Sequence, residues 1–255
     1  LRIEQQLYTA LERRELKLAY QPIVDVSSNR VVGAEALLRW PQPDGSFIGP
    51  DEFVPIAEDA GFMISIGEFV IEEACRQLRA WGEAGMDSLT IAVNIARCQL
   101  MDPGLVDFVS QCLEKYAVEP AWLDFELSER GALSGDESVL SQLFQLKSLG
   151  ITISVDDFGT GEASIAYLKD MPVDHLKIDR SYIARLAYDG KESRMISAMI
   201  ALAHRLRLKV VAEGIESAAQ LNILQSLDCD LYQGFHFSRA VDPELFPAVA
   251  FPQPD

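Results

Sequence analysis

Two β-rich runs, Leu18-Ala19-Tyr20-Gln21-Pro22-Ile23-Val24 and Val32-Gly33-Ala34-Glu35-Ala36-Leu37-Leu38-Arg39-Trp40, are joined through Asp25 to Arg30, with Ser27-Ser28-Asn29 at the centre. That connection is too short for a crossover helix, so a hairpin joins the two strands and one of them runs antiparallel to its neighbours. Six further short runs follow: Leu89 to Ile95, Leu123 to Leu127, Thr152 to Asp156, His175 to Asp179, Lys209 to Gly214 and Leu231 to Phe237. Amphipathic stretches lie between most of them. In Ser193 to Leu206, for example, Ile196, Met199, Ile200, Ala203 and Leu206 recur at helical spacing. Eight strands with helices between them predict an α/β fold, a TIM-like (β/α)₈ barrel with one antiparallel strand.

The 255 residues suit one barrel-sized domain. The net charge of −17 repels polyphosphate backbones, which argues against duplex nucleic acid as a partner. No apolar run approaches the roughly 18 residues of a membrane helix, so no membrane contact is expected from this segment. Cys75, Cys98, Cys112 and Cys229 lie far apart with no C-x-x-C pair. Free thiols in a reducing, cytoplasmic compartment fit that spacing. The chain starts at Leu1, which reads as a fragment of a longer protein, and the fragment is expected to be cytoplasmic even if that protein is membrane-anchored.

The informative feature is a polar residue planted in nearly every apolar run. Glu35 lies in Val-Gly-Ala-Glu-Ala-Leu-Leu, Asn94 in Ile-Ala-Val-Asn-Ile, and Glu126 in Leu-Asp-Phe-Glu-Leu. Asp156 and Asp157 follow Ile-Ser-Val, Lys177 lies in His-Leu-Lys-Ile-Asp, Glu213 ends Val-Val-Ala-Glu-Gly, and Gln233 lies in Leu-Tyr-Gln-Gly-Phe. A carboxylate in low dielectric costs several kcal/mol even after relaxation, so converging acids with one lysine need cations to balance them. Oxygen-only ligands select hard metals such as Mg²⁺ or Mn²⁺ over zinc. Adjacent Asp156 and Asp157 would let one carboxylate bridge two ions about 3.5 to 4 Å apart, an arrangement suited to phosphodiester hydrolysis. Any one of these acids alone would read as a helix cap or a surface ion pair.

Asp156-Asp157-Phe158-Gly159-Thr160-Gly161 ends in two glycines that permit a tight loop. Its Asp-Phe-Gly triplet lacks the glycine-rich loop and His-Arg-Asp segment of a kinase, and no Gly-x-Ser-x-Gly or Walker sequence is present. Glu129, three residues after Glu126, either holds the neighbouring loop through backbone N–H groups or is a plain surface charge. His175, His204 and His236 show no metal spacing and read as structural.

Taken in order, these motifs make the chain resemble the EAL domain of bacterial cyclic di-GMP phosphodiesterases over nearly its whole length. The resemblance rests on Tyr20-Gln21-Pro22-Ile23-Val24, Glu35-Ala36-Leu37-Leu38-Arg39-Trp40, Asn94, Glu126-x-x-Glu129 and Asp156-Asp157-Phe158-Gly159-Thr160-Gly161. It continues through Lys177-Ile178-Asp179, Glu213-Gly214-Ile215-Glu216 and Gln233-Gly234. It implies a (β/α)₈ barrel with one antiparallel strand, spanning 1–255 as a single domain of a multidomain signalling protein. It implies that Glu35, Asn94, Glu126 and Asp156 hold one Mg²⁺ or Mn²⁺ ion, and that Asp156, Asp157 and Glu213 hold or orient a second. Lys177 would position the attacking water, with Glu35, Asp156 and Asp157 in the catalytic set. Gln21, Leu38, Arg39, Glu216 and Gln233 would hold cyclic di-GMP, and Glu129 would brace the loop after Asp157. One phosphodiester would open to give linear pGpG, and Ca²⁺ is expected to inhibit.

The chain departs from the family pattern at Ala96-Arg97-Cys98, Arg130, Glu162-Ala163 and Ala240, none of which removes a ligand. The loop carrying Glu162 couples dimer contacts to the metal site in this family, so a homodimer is expected. A cyclic di-GMP receptor with little or no catalysis is the alternative, and a phosphodiesterase for another cyclic dinucleotide is a third.

Overall fold

The computed structural model describes residues 2–42, 44–132, 136–160, 168–186 and 190–252. Its strands are β1 (Lys17–Asp25), β2 (Val31–Pro41), β3 (Phe47–Ile48), β4 (Thr90–Asn94), β5 (Leu123–Ser128), β6 (Thr152–Phe158), β7 (His175–Ile178), β8 (Lys209–Ala212) and β9 (Leu231–Tyr232). They are ordered β1-β9-β8-β7-β6-β5-β4-β2-β3, and an additional β1–β2 pairing closes the barrel. β1 is antiparallel to both β2 and β9, while the pairs from β2 through β4 to β9 are parallel. The fold is therefore an eight-stranded (β/α) barrel with one reversed strand. β3 is an addition that the sequence pattern did not show, a two-residue strand antiparallel to the end of β2.

The β1–β2 hairpin is held by its own polar residues. Asp25 Oδ1 accepts bonds from Ser27 Oγ at 2.7 Å, Ser28 N at 2.7 Å and Ser28 Oγ at 2.8 Å. Asn29 takes φ of 53°, a conformation its short polar side chain tolerates. The strand therefore reverses at once. Reversing β1 leaves its Gln21 beside Glu35 in the β2 register.

Alternation along each strand separates two environments. One set of positions, including Ile91, Val93, Phe125, Ile153, Val155, Leu176, Ile178 and Val210, is fully buried in the main hydrophobic cluster beneath the helices. The Met63–Glu83 helix, for example, turns Ile66, Val70, Ile71, Ala74, Leu78 and Trp81 inward. Burying each large apolar side chain contributes about 1.5–3 kcal/mol, so this layer dominates the stability. The alternate positions face the lumen, where a small separate cluster of Ile23, Ala92 and Val211 supplies the apolar filling. Polar residues occupy many of the other inward positions, among them Gln21, Glu35, Asp124, Glu126, Ser154 and Lys177.

Candidate active site

Lys177 and Glu35 show where those polar positions lead. They stand on β7 and β2, which are not neighbours in the sheet, yet Lys177 Nζ lies 3.7 Å from Glu35 Oε2. Such a contact can only cross the barrel interior. The same ammonium lies 2.7 Å from Glu126 Oε1, 2.8 Å from Glu213 Oε1 and 3.6 Å from Asp156 Oδ1. One positive charge thus faces four carboxylates, with Lys177 only 1% exposed.

Amides complete the arrangement. Asn94 Nδ2 donates to Glu35 Oε1 at 2.9 Å. Gln233 Nε2 donates to Glu35 Oε2 at 2.6 Å and to Gln21 Oε1 at 3.0 Å. Gln21 Nε2 in turn donates to the Ser238 carbonyl at 3.1 Å. The pattern predicted strands running to Gly214 and Phe237, but β8 stops at Ala212 and β9 at Tyr232, so Glu213 and Gln233 sit just past the strand ends. Gly234 explains one of these early stops: a Cβ there would lie 2.1 Å from the Ile215 carbonyl oxygen, so the chain crosses at glycine.

A β-bulge presents the two aspartates. Val155 pairs with Leu176 and Phe158 with Ile178, leaving one extra residue on β6 between them. Asp157 takes φ of 55°, and its N–H donates to Asp156 Oδ1 at 2.8 Å. An unusual backbone at a bulge re-aims side chains, here toward Glu213. One oxygen from each of Asp156, Asp157 and Glu213 lies within 4.8 Å of the others.

The site's electrostatics follow from burial and crowding. Burial, reinforced by Glu35, Asp156 and Asp124, holds the Glu126 carboxyl well above the usual range despite Lys177. Burial likewise pushes Glu213 up to about 7. Asp157 is raised by burial and by Asp156 and Asp179. Glu35 is opposed by burial too, but Lys177 and the amides of Gln233 and Asn94 outweigh it and hold its carboxyl below the usual range. Burial works against the charge on Lys177, yet its surrounding acids raise it well above the ordinary lysine value.

The predicted residues divide into two groups. Glu35, Asn94, Glu126, Asp156, Lys177, Glu213, Gln21 and Gln233 form one connected cluster, and Asp157 joins it through Asp156 and Glu213. Glu129 is buried, and its Oε2 accepts the Gly159 N–H at 2.9 Å, which favours the bracing role over a surface charge. Leu38 and Arg39 are half-buried further along β2, where Arg39 Nη1 donates to the Leu38 carbonyl. Glu216 is exposed, and its N–H is bonded to Gln220 Oε1. No described hydrogen bond or ion pair ties these three to the cluster, although the Arg39 guanidinium, whose pKa burial lowers, is electrostatically coupled to Glu35. Gly161, Glu162 and Ala163 lie outside the described residues.

Two features escaped the sequence reading. Asp124 accepts bonds from Ser154 Oγ at 2.9 and 2.7 Å, and His175 Nδ1 lies 3.1 Å from both Asp124 Oδ2 and Ser154 Oγ. This cluster lines the lumen one inward position before Glu126, Asp156 and Lys177. The spacing of Asp124 from Glu126, the strand period of two, was the available signal. The second is Tyr182, whose hydroxyl donates to the Gly159 carbonyl at 2.5 Å. Nothing in its sequence context distinguishes it from a core aromatic.

A barrel with an acidic, lysine-centred cluster at the C-terminal ends of its parallel strands defines a class of hydrolytic metal-site scaffold. The chain belongs to the EAL domain family, whose family model matches residues 4–240. It is 43% identical over 251 residues to the bifunctional diguanylate cyclase/cyclic di-GMP phosphodiesterase MucR of Pseudomonas aeruginosa, covering 98% of this chain and 37% of that protein. It is 39% identical over 239 residues to the cyclic di-GMP phosphodiesterase NbdA of the same organism, covering 94% of this chain and 30% of that one. The chain thus spans about a third of the length of these relatives. A solved PaMucR phosphodiesterase in complex with c-di-GMP superposes with a TM-score of 0.92 at 43% identity, covering 96% of this chain and 100% of the other. The FimX EAL domain of Pseudomonas aeruginosa bound to c-di-GMP superposes at 0.87 with 25% identity, covering 94% and 96%.

Proposed function

We propose that this chain is a metal-dependent phosphodiesterase that opens cyclic di-GMP to linear pGpG. The observation that carries the reading is the convergence of Glu35, Glu126, Asp156 and Glu213 on the single buried ammonium of Lys177. One cation does not balance four acids. Glu126 Oε2 is buried with no hydrogen-bond partner among the described residues, which fits a metal-ligand oxygen. The donor set is oxygen only, which suits Mg²⁺ or Mn²⁺. Glu35, Asn94, Glu126 and Asp156 would hold one ion, and Asp156, Asp157 and Glu213 a second. Such ions, when bound, supply Lewis-acid stabilisation of charge on the phosphodiester.

The chain's own residues do the rest. Lys177, packed among the acids and kept protonated by them, holds the attacking water by hydrogen bonding in the position for in-line displacement. Gln21 and Gln233 form a fixed amide pair on the β1 and β9 side, suited to binding the dinucleotide beside Glu35. Leu38, Arg39 and Glu216 extend that binding surface, with Arg39 as the phosphate-facing cation. Glu129 holds the β6 loop through Gly159. Residues 1–255 act as one domain of a longer signalling protein, working as a homodimer in the cytoplasm. No helix among the described residues is long and apolar enough to cross a membrane.

Incubation with cyclic di-GMP and Mn²⁺ or Mg²⁺, followed by chromatography, should show pGpG accumulating, with suppression by chelator or Ca²⁺. Calcium's larger radius and looser coordination would misplace the ligand oxygens. Binding without product would make the chain a receptor instead, and faster hydrolysis of another cyclic dinucleotide would reassign the substrate.

A further inference from the structure

Gly159 sits two residues beyond Asp157 and is gripped from both sides. Its N–H donates to Glu129 Oε2 at 2.9 Å, and its carbonyl accepts the Tyr182 hydroxyl at 2.5 Å. Its φ is 95°, and a Cβ there would lie 2.8 Å from Met199 Cε and 3.0 Å from the Tyr182 ring and hydroxyl. Between this grip and the bulge, Phe158 is buried and paired with Ile178, while Thr160 N and Oγ1 both return to the Asp157 carbonyl at 3.2 and 2.8 Å. The Asp157 carbonyl and both backbone polar groups of Gly159 are therefore committed. Tyr182 lies five residues after Lys177, on a short helix (Arg180–Ile183) capped by the Asp179 side chain. The segment that supplies the lysine thus also supplies the clamp on the loop that supplies both aspartates.

We infer that Tyr182 is a positioning residue for the metal site: its hydroxyl fixes the Gly159 peptide and thereby holds the left-handed Asp157 and its neighbour Asp156 in ligating orientation. The inference rests on the metal-dependent reading above and assigns to this site a residue that touches neither ion nor substrate. A left-handed non-glycine residue at a functional site is held there by its surroundings. A hydrogen bond of this kind acts as an outer support, and loss of such supports typically lowers metal affinity or activity by about 10- to 100-fold.

The test is Tyr182→Phe, which deletes the hydroxyl and keeps the ring. Mn²⁺ affinity is measured by counting free ion in electron paramagnetic resonance titrations, and kcat and KM for cyclic di-GMP are measured at saturating Mn²⁺. The expected result is Mn²⁺ binding weakened by about ten-fold or more with KM within about two-fold of wild type. Thermal midpoints without metal should coincide. Gly159→Ala, which pushes the same contact apart, should show the same weakened Mn²⁺ binding, and the double variant should be no worse than Gly159→Ala alone. Unchanged Mn²⁺ affinity in Tyr182→Phe, or additive losses in the double variant, would overturn the inference. If wild type binds Mn²⁺ but releases no pGpG, the function above fails, and the Mn²⁺ titration still decides the role of Tyr182.

Discussion

Lys177 is the residue on which the chemistry turns, because its two possible roles predict different kinetics. If it positions water while the ions and Arg39 hold substrate, Lys177→Ala should lose turnover far more than affinity. A loss of water-positioning help costs about 10² to 10⁴ in rate. Calorimetric titration of cyclic di-GMP in Ca²⁺ would measure affinity with turnover blocked, and an equal fall in affinity and rate would reduce Lys177 to a counter-ion. Glu35→Ala should abolish hydrolysis while circular dichroism stays barrel-like, since removing one acid relieves repulsion in the metal-free site. A near wild-type rate would exclude Glu35 as a ligand. At this scale the sequence was readable wherever a charge interrupted an apolar run, as at Glu126 in Leu-Asp-Phe-Glu-Leu. It was silent at Tyr182, because an aromatic flanked by Ser181 and Ile183 reads as packing, and only the fold shows which carbonyl its hydroxyl meets.

Among the elements, the hairpin was legible because six residues cannot span a parallel crossover, and Asp25, Ser27, Ser28 and Asn29 then form the turn. Strand ends were less legible. Val-Val-Ala-Glu-Gly and Leu-Tyr-Gln-Gly-Phe look continuous, but each leaves the sheet before its glycine, which passes close to Arg180 in the first and to the Ile215 backbone in the second. Gly214 takes φ of 71°, where a Cβ would meet Arg180 Cβ at 2.6 Å. The bulge at Asp156–Asp157 leaves no mark in hydrophobic pattern, since its register depends on β7. A prediction follows at Gly234, where an added Cβ would lie 2.1, 2.3 and 2.7 Å from Ile215 backbone atoms. Backbone cannot yield as a flexible side chain can, so Gly234→Ala should destabilise the fold by about 1–3 kcal/mol or more and displace Gln233 from Glu35. A denaturant midpoint unchanged from wild type would contradict this packing.

At the level of the whole molecule, stability and the metal site are linked through protons. Burial chiefly raises Glu126, and raises Glu213 to about 7, from the ordinary value of 4.5. The folded, metal-free protein therefore retains protons that the unfolded chain has released. The stability these groups contribute is present at low pH and is lost as pH rises from about 4.5 through about 7. Divalent ions need the deprotonated carboxylates, so they bind better over the same window. The gain in thermal midpoint on adding Mn²⁺ should grow from about pH 5 to about pH 8. A gain that stays constant or shrinks would place the ions elsewhere. Self-association is predicted through the loop following Gly161, which lies outside the described residues, and sedimentation showing a fully active monomer at every concentration would refute that coupling.

On the function proposed above, the carboxylates around Lys177 hold divalent ions. Anomalous scattering from a crystal soaked in Mn²⁺ tests it without reference to any reaction. The predicted result is one peak among Glu35, Asn94, Glu126 and Asp156 and a second among Asp156, Asp157 and Glu213, the first of them lost or weakened in Glu35→Ala. Peaks confined to the surface, or none at all, would contradict it.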